Sequence, residues 1–210
     1  MFKKKLGLVL LLALAVSMSL ASVAFAQGGN NKEKYRAMLE PLNGSGASGH
    51  ARLTIEGDRL GSKINSHGLA PELPHAQHIH GMAQAVSECP TLANDANGDG
   101  LVNTVEGLPS YGPIAVSFTT SGDTSPSSGL AVDRFPVANE GGSVNYKRTF
   151  EVPSKVANNL GDFAIVQHGV DLNGNGAYDF ESAGKSELDP SLPQEATIPA
   201  NCGVINPIGR

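Results

Sequence analysis

The chain has 210 residues, of which 40% are hydrophobic and only 17% charged, with 25 glycines, 13 prolines and no tryptophan. Its formal charge of −5 argues against nucleic acid or an anionic membrane as partner and suits a protein that binds cations. The length fits one domain with its own core, and beyond the extreme N-terminus no stretch is apolar enough to span a bilayer.

Residues 1–26 read as a secretory signal peptide. Lys3, Lys4 and Lys5 form a basic start, Leu6 to Leu20 is apolar, and Ala24-Phe25-Ala26 places small residues at −3 and −1 before Gln27. The expected location is therefore secreted or extracytoplasmic, with no membrane span after cleavage behind Ala26. Gln27 to Lys34 is polar and Gly/Asn-rich, which predicts a disordered lead-in. One domain is expected over residues 35–210.

From Tyr35 the pattern has a period of two. Tyr35, Ala37 and Leu39 alternate with Arg36, Met38 and Glu40, and Leu53 and Ile55 alternate with Arg52, Thr54 and Glu56. Gly57-Asp58 makes a turn, and Leu60, Ser62 and Ile64 continue the pattern, which predicts a hairpin. Ile114, Val116 and Phe118 suggest a later strand, as do Val144, Tyr146 and Phe150, and Phe163 to His168. His50 falls in a Gly/Ser turn and His67 on the polar face of its strand. Nothing reads as a long amphipathic helix, so the fold class is all-β, a sandwich or barrel. Glu88–Pro113 and Gly169–Asn201 are too long to be plain turns and are expected to carry function.

His75-Ala76-Gln77-His78-Ile79-His80-Gly81 holds three of the six histidines. On a strand His78 and His80 point to one side, with Ile79 turned to the other. Two imidazoles so placed can share a cation, and nitrogen ligands suit copper or zinc. His168, at the end of the strand Phe163–Gln167 and on one face with Ala164 and Val166, is the natural third ligand. Solvated imidazoles on a polar edge are the alternative.

Asp95-Ala96-Asn97-Gly98-Asp99-Gly100-Leu101-Val102-Asn103-Thr104-Val105-Glu106 follows the EF-hand loop pattern position by position. Asp95, Asn97 and Asp99 stand at positions 1, 3 and 5, and Gly100 at 6 allows the sharp turn. Leu101 offers its carbonyl, Asn103 stands at 9 and Glu106 at 12. Oxygen ligands favour calcium. Pro90 before the loop and Gly107-Leu108-Pro109 after it are expected to stop flanking helices. A second segment, with Asp171, Asn173, Asn175 and Asp179, repeats the first nine positions but has Ser182 at position 12 and Glu181 one place early. It reads equally as a calcium loop or a Gly/Asn turn. Two cysteines, Cys89 and Cys202, in an exported chain predict a disulfide, with two free thiols as the alternative.

At these residues a family resemblance appears. His75-x-x-His78-x-His80-Gly81 resembles the strand of copper–zinc superoxide dismutases that supplies two copper ligands. Ile165-Val166-Gln167-His168 resembles the strand with the last copper histidine. Cys202-Gly203-Val204-Ile205 is similar to the family's C-terminal cysteine segment, with Cys89 in the place of its disulfide partner. The same histidine strand, preceded by Tyr35-Arg36-Ala37 and the Gly49–Glu56 hairpin, also looks like the chordin-type CHRD domain. The resemblance implies a Greek-key β-barrel with long metal-binding loops. It also implies copper on His78, His80 and His168, with His75 as a buried histidine behind them, and superoxide as substrate. The chain departs from the family in having no histidine between Cys89 and His168. The bridging ligand and the zinc histidines are therefore absent, and zinc is not expected. Pro199 stands where the family has its active-site arginine, and no catalytic residue is assigned. Two functions follow: a copper redox protein acting on superoxide, or a non-catalytic, calcium-stabilised extracellular module that binds an unidentified macromolecule.

Overall fold

Alternating burial builds most of the sheet. The computed structural model describes residues 32–81 and 85–209, so the expected signal peptide and most of the lead-in lie outside the described residues. Strand β1 (Glu33–Pro41) begins two residues before the Tyr35 start of the sequence pattern and buries Tyr35, Ala37 and Leu39. Strands β2 (Ser48–Glu56) and β3 (Arg59–His67) form the expected hairpin around Gly57-Asp58. Each turns alternate residues inward, and Leu53, Ile55, Leu60 and Ile64 lie in the core. His50, expected in a turn, lies within β2, and Asn65 of β3 reaches its ring. Gly49 flattens into the ladder there, and the strand starts earlier than the Gly/Ser composition suggests. His67 is exposed, as expected, beside Ser48.

The remaining strands are β4 (Gln77–Gly81), β5 (Ile114–Ser117), β6 (Val144–Glu151), β7 (Phe163–His168), β8 (Pro199–Val204) and the short β9 (Asn206–Pro207). They form one antiparallel sheet in the order β5-β4-β7-β8-β1-β2-β3-β6, with β9 beside β1. The sheet curls into a half-barrel. The edges β5 and β6 are joined by side chains and not by a ladder. Arg148 donates to the Thr119 carbonyl (2.8 Å) and to Gly122, and the Tyr146 hydroxyl donates to Thr119 O (3.0 Å). Phe118 packs edge-on against Tyr146.

Helices are few and short, and among the described residues none is long and apolar enough to cross a membrane. Helix α1 (Thr104–Tyr111) corrects one expectation, because Pro109 lies inside it. Its start is strongly fixed: Asn103 Oδ1 accepts the N–H groups of Val105 and Glu106, and Glu106 accepts that of Asn103 in return. With only eight residues, the proline forfeits a single bond, and the Tyr111 hydroxyl closes the helix by donating to Thr104 O (2.9 Å). Helices α2 (Ser154–Ala157) and α3 (Gln194–Thr197) are single turns.

Strands β4 and β7 are buried on both faces. Ile79, Phe163 and Ile165 enter the main core, while Ala164 and Val166 face outward into a second cluster with Tyr111 and Cys202. The long segments 85–113 and 169–198, with the loop 119–135, cover that outer face. Between sheet and covering loops lies the candidate site.

Candidate metal centre

Register brings the three histidines together. His78 sits opposite Val166 and His80 opposite Ala164, so both share the outer face with His168 at the end of β7. Their ring centroids form a triangle with sides of 5.4, 5.2 and 5.7 Å. One nitrogen from each ring lies within 4.8 Å of the other two, and all three side chains are buried. The predicted trio is thus one cluster.

Hydrogen bonding sets which nitrogen faces inward. His78 Nε2 donates to the Gly129 carbonyl (3.0 Å), His80 Nδ1 to Gly112 O (2.8 Å) and His168 Nδ1 to Thr197 O (2.7 Å). A carbonyl can only accept, so each bond fixes the proton on that nitrogen and leaves a lone pair on the other. Those other nitrogens, His78 Nδ1, His80 Nε2 and His168 Nε2, are buried without any hydrogen-bond partner. Unpartnered buried polar atoms are uncommon and costly. Burial, reinforced by the neighbouring rings, holds His78 well below the usual imidazole range; burial likewise lowers His80 to about 3 and His168 to about 4. The rings are neutral imidazoles, the protonation state a metal ligand needs. Tyr111 packs on His80 at 4.6 Å and Phe135 edge-on to His78 at 5.2 Å.

His75 is fully buried but outside this cluster. Its Nδ1 lies 2.9 Å from the His168 carbonyl and its Nε2 3.0 Å from Ala70 O, with the Tyr178 hydroxyl 3.3 Å from Nδ1. It therefore braces the end of β7 from behind. Cys89 and Cys202 form a disulfide with Cα atoms 5.7 Å apart. The bond is consistent with an extracytoplasmic location.

The two Asp/Asn/Gly loops have the same internal wiring. Asp95 accepts from the Gly98 and Gly100 N–H groups (2.7 and 2.8 Å), and Asp171 from Gly174 and Gly176 (both 2.8 Å). Asn97 and Asp99 accept from the residue two ahead, as do Asn173 and Asn175. Gly100 and Gly176 both adopt left-handed backbone, φ +86° and +84°, which favours glycine at the sixth position of each loop. Glu106 accepts the N–H groups of Ala96 and Asn103, the second and ninth residues of the first loop. In the second loop those positions are Leu172 and Asp179, and both donate to Glu195 of α3 (2.9 Å each). Glu195, fully buried, stands to the second loop as Glu106 stands to the first. It lies too far along the chain for any local motif to reveal it. The Asn103 side-chain oxygen is occupied by the α1 cap.

Both loops abut the histidines. The first runs into α1, and the Thr104 hydroxyl donates to the same Thr197 carbonyl that receives His168. The second carries Tyr178 against His75. The carbonyls of Gly112, Gly129 and Thr197 had no sequence signal, since any residue supplies a carbonyl. Comparison of the chain with family models and with characterised proteins returns no match, so what stands is a β half-barrel with a buried three-histidine cluster, a possible metal site, and a disulfide.

Proposed function

We propose that this is an exported metalloprotein that binds one copper ion through His78 Nδ1, His80 Nε2 and His168 Nε2. The observation that carries this reading is the set of three buried nitrogens without partners, each on a ring whose other nitrogen is tied to a backbone carbonyl. The donor set suits copper and zinc alike; the motif resemblance selects copper. A bound copper ion would supply a Lewis acid and a one-electron redox centre. The protein's own part is to fix the ring tautomers, exclude bulk water and keep the ligands neutral. Orientation by outer partners of this kind commonly governs metal affinity by about 10–100-fold.

Superoxide as substrate rests on the motif resemblance alone. Among the described residues that line the space over the histidines there is no lysine or arginine to attract an anion, and the chain's net charge is −5. Metal content after dialysis against copper, zinc and calcium tests the central reading. About one copper per chain is expected, lost in His80→Ala. If the wild-type protein retains neither copper nor zinc, the reading fails. Superoxide decay no faster than with free copper would remove the dismutase reading while leaving the copper site.

The parallel wiring of the two loops favours a second, compatible function, structural calcium binding. Asp95, Asn97, Asp99, the Leu101 carbonyl and Glu106 would hold one ion, with Asn103 acting through the helix cap. Asp171, Asn173, Asn175 and Asp179 would hold another, with Glu195 in the place of the missing glutamate. In this role the loops brace the histidine site from two sides. If metal analysis finds calcium without copper, a calcium-stabilised module that binds an extracellular macromolecule becomes the better description.

A further inference from the structure

The histidine cluster forms the floor of a cavity of about 300 Å³. Its walls are Leu108 of α1, Ile114 of β5, Leu130 and Val132 of the loop 119–135, and Leu188 and Leu192 of the segment 169–198. No Lys, Arg, Asp or Glu is among the described residues lining it. The two wall threonines are already engaged, Thr104 with the Thr197 carbonyl and Thr197 with Ser186. The Gly129 and Thr197 carbonyls hold histidine N–H groups. The lining therefore offers a ligand almost wholly apolar surface, the three inward nitrogens being turned towards one another and buried.

We propose that this cavity admits a neutral, apolar small molecule bearing one nitrogen, oxygen or sulfur donor, and that its walls add nothing to the binding of an anion. The proposal rests on the copper reading for its donor half and on the cavity alone for its apolar half. An anion entering here would meet no hydrogen-bond donor and no cationic side chain in exchange for its hydration, so the charge of the ion itself would be its only attraction. A ring or short aliphatic body would leave water for apolar walls, while its donor atom would bind an ion held by the three histidines. The volume lies at the low end of small-molecule sites, about 300–1,000 Å³, which suits one ring with a small substituent. At the mouth, Leu130, Val132 and Leu188 are 42–45% exposed, so an arriving ligand meets apolar surface first.

Two titrations test this. In copper-loaded protein, 4-phenylimidazole, imidazole and azide are titrated against the copper(II) EPR and visible spectra. Binding of 4-phenylimidazole at least tenfold tighter than imidazole is expected, since the two share a donor and differ in their apolar body. Adding charge at the exposed mouth with Leu130→Lys and Leu188→Lys should raise azide affinity and lower that of 4-phenylimidazole. Equal binding of 4-phenylimidazole and imidazole by the wild-type protein would overturn the proposal. The second titration needs no metal: indole is added to metal-free protein and followed by methyl NMR at Ile114, Leu108 and Leu192. Saturable shifts confined to these methyls are expected even if copper never binds. Their absence overturns the apolar half, whereas failure to load copper overturns only the reading on which the donor half rests.

Discussion

A buried imidazole must choose which nitrogen to satisfy, and here three neighbouring rings leave the same side unsatisfied. Without metal that arrangement has a pH signature. In the unfolded chain each histidine titrates near its ordinary value of about 6.5, whereas in the fold burial lowers His80 to about 3 and His168 to about 4, with His78 also low. Between those values the unfolded state binds more protons than the folded one, so stability rises with pH across the interval. Metal-free protein should hold its melting temperature above about pH 6.5 and lose it progressively towards pH 4. His78→Phe, which removes one such group, should flatten the fall. Calorimetry from pH 4 to 8 checks this, and a flat profile would mean that the rings are more hydrated than their burial indicates. Copper, which also requires neutral rings, should steepen the dependence because protons then compete with the ion.

At the level of elements, the loops set what the histidines can do. Glu106 ties the first loop to the N-terminus of α1, and Glu195 ties the second loop to α3. On the proposed calcium role of these loops, chelation with EGTA should lower the melting temperature. Glu195→Ala should reproduce much of that loss, because it also strands two backbone N–H groups at a cost of about 1–3 kcal/mol each. Glu195→Gln is the informative control: it keeps an acceptor oxygen for one of the two N–H groups, which Glu195 receives on separate oxygens, and it weakens cation binding. A Gln variant that melts lower than the wild type but responds to EGTA as the wild type does would take the carboxylate out of the cation site and leave it as the acceptor of backbone N–H groups. The strands that build the site were legible in the sequence, because period-two alternation fixes side-chain direction and so put His78, His80 and His168 on one face. Glu195 was not, because its relation to Asp171 exists only after 23 intervening residues have folded back. Helix α1 was misjudged for a similar reason. Pro109 is a local signal for a stop, but the cap at Asn103 and the Tyr111–Thr104 bond outweigh it. The apolar cavity was equally hidden, since its walls come from three separate segments.

At the scale of the whole molecule, the half-barrel is held closed by side chains at one seam and by one covalent bond on its outer face. The Cys89–Cys202 bond joins residues 113 apart in sequence. In the chain-entropy model a loop of that length stabilises the fold by roughly 4–5 kcal/mol, which for a domain of this size corresponds to a melting shift on the order of 10 °C. Its placement makes it more than a global staple. Cys202 lies opposite Val166 on β7 and packs in one cluster with Tyr111 and Leu108. The bond thus pins the segment 85–113 against the histidine face, and that segment ends in the Gly112 carbonyl that orients His80. The paired replacement Cys89→Ser/Cys202→Ser should therefore do two separable things. It should lower the melting temperature by the amount above while the far-UV signature of the sheet persists. It should also weaken copper binding by about tenfold or more, the effect expected when a ligand's orienting partner is loosened. Competitive copper titration against a chelator reads the second effect independently of the first. A large melting shift with unchanged copper affinity would show that Gly112 holds His80 without help from the disulfide, leaving the capped helix α1 as the element that keeps the site in register.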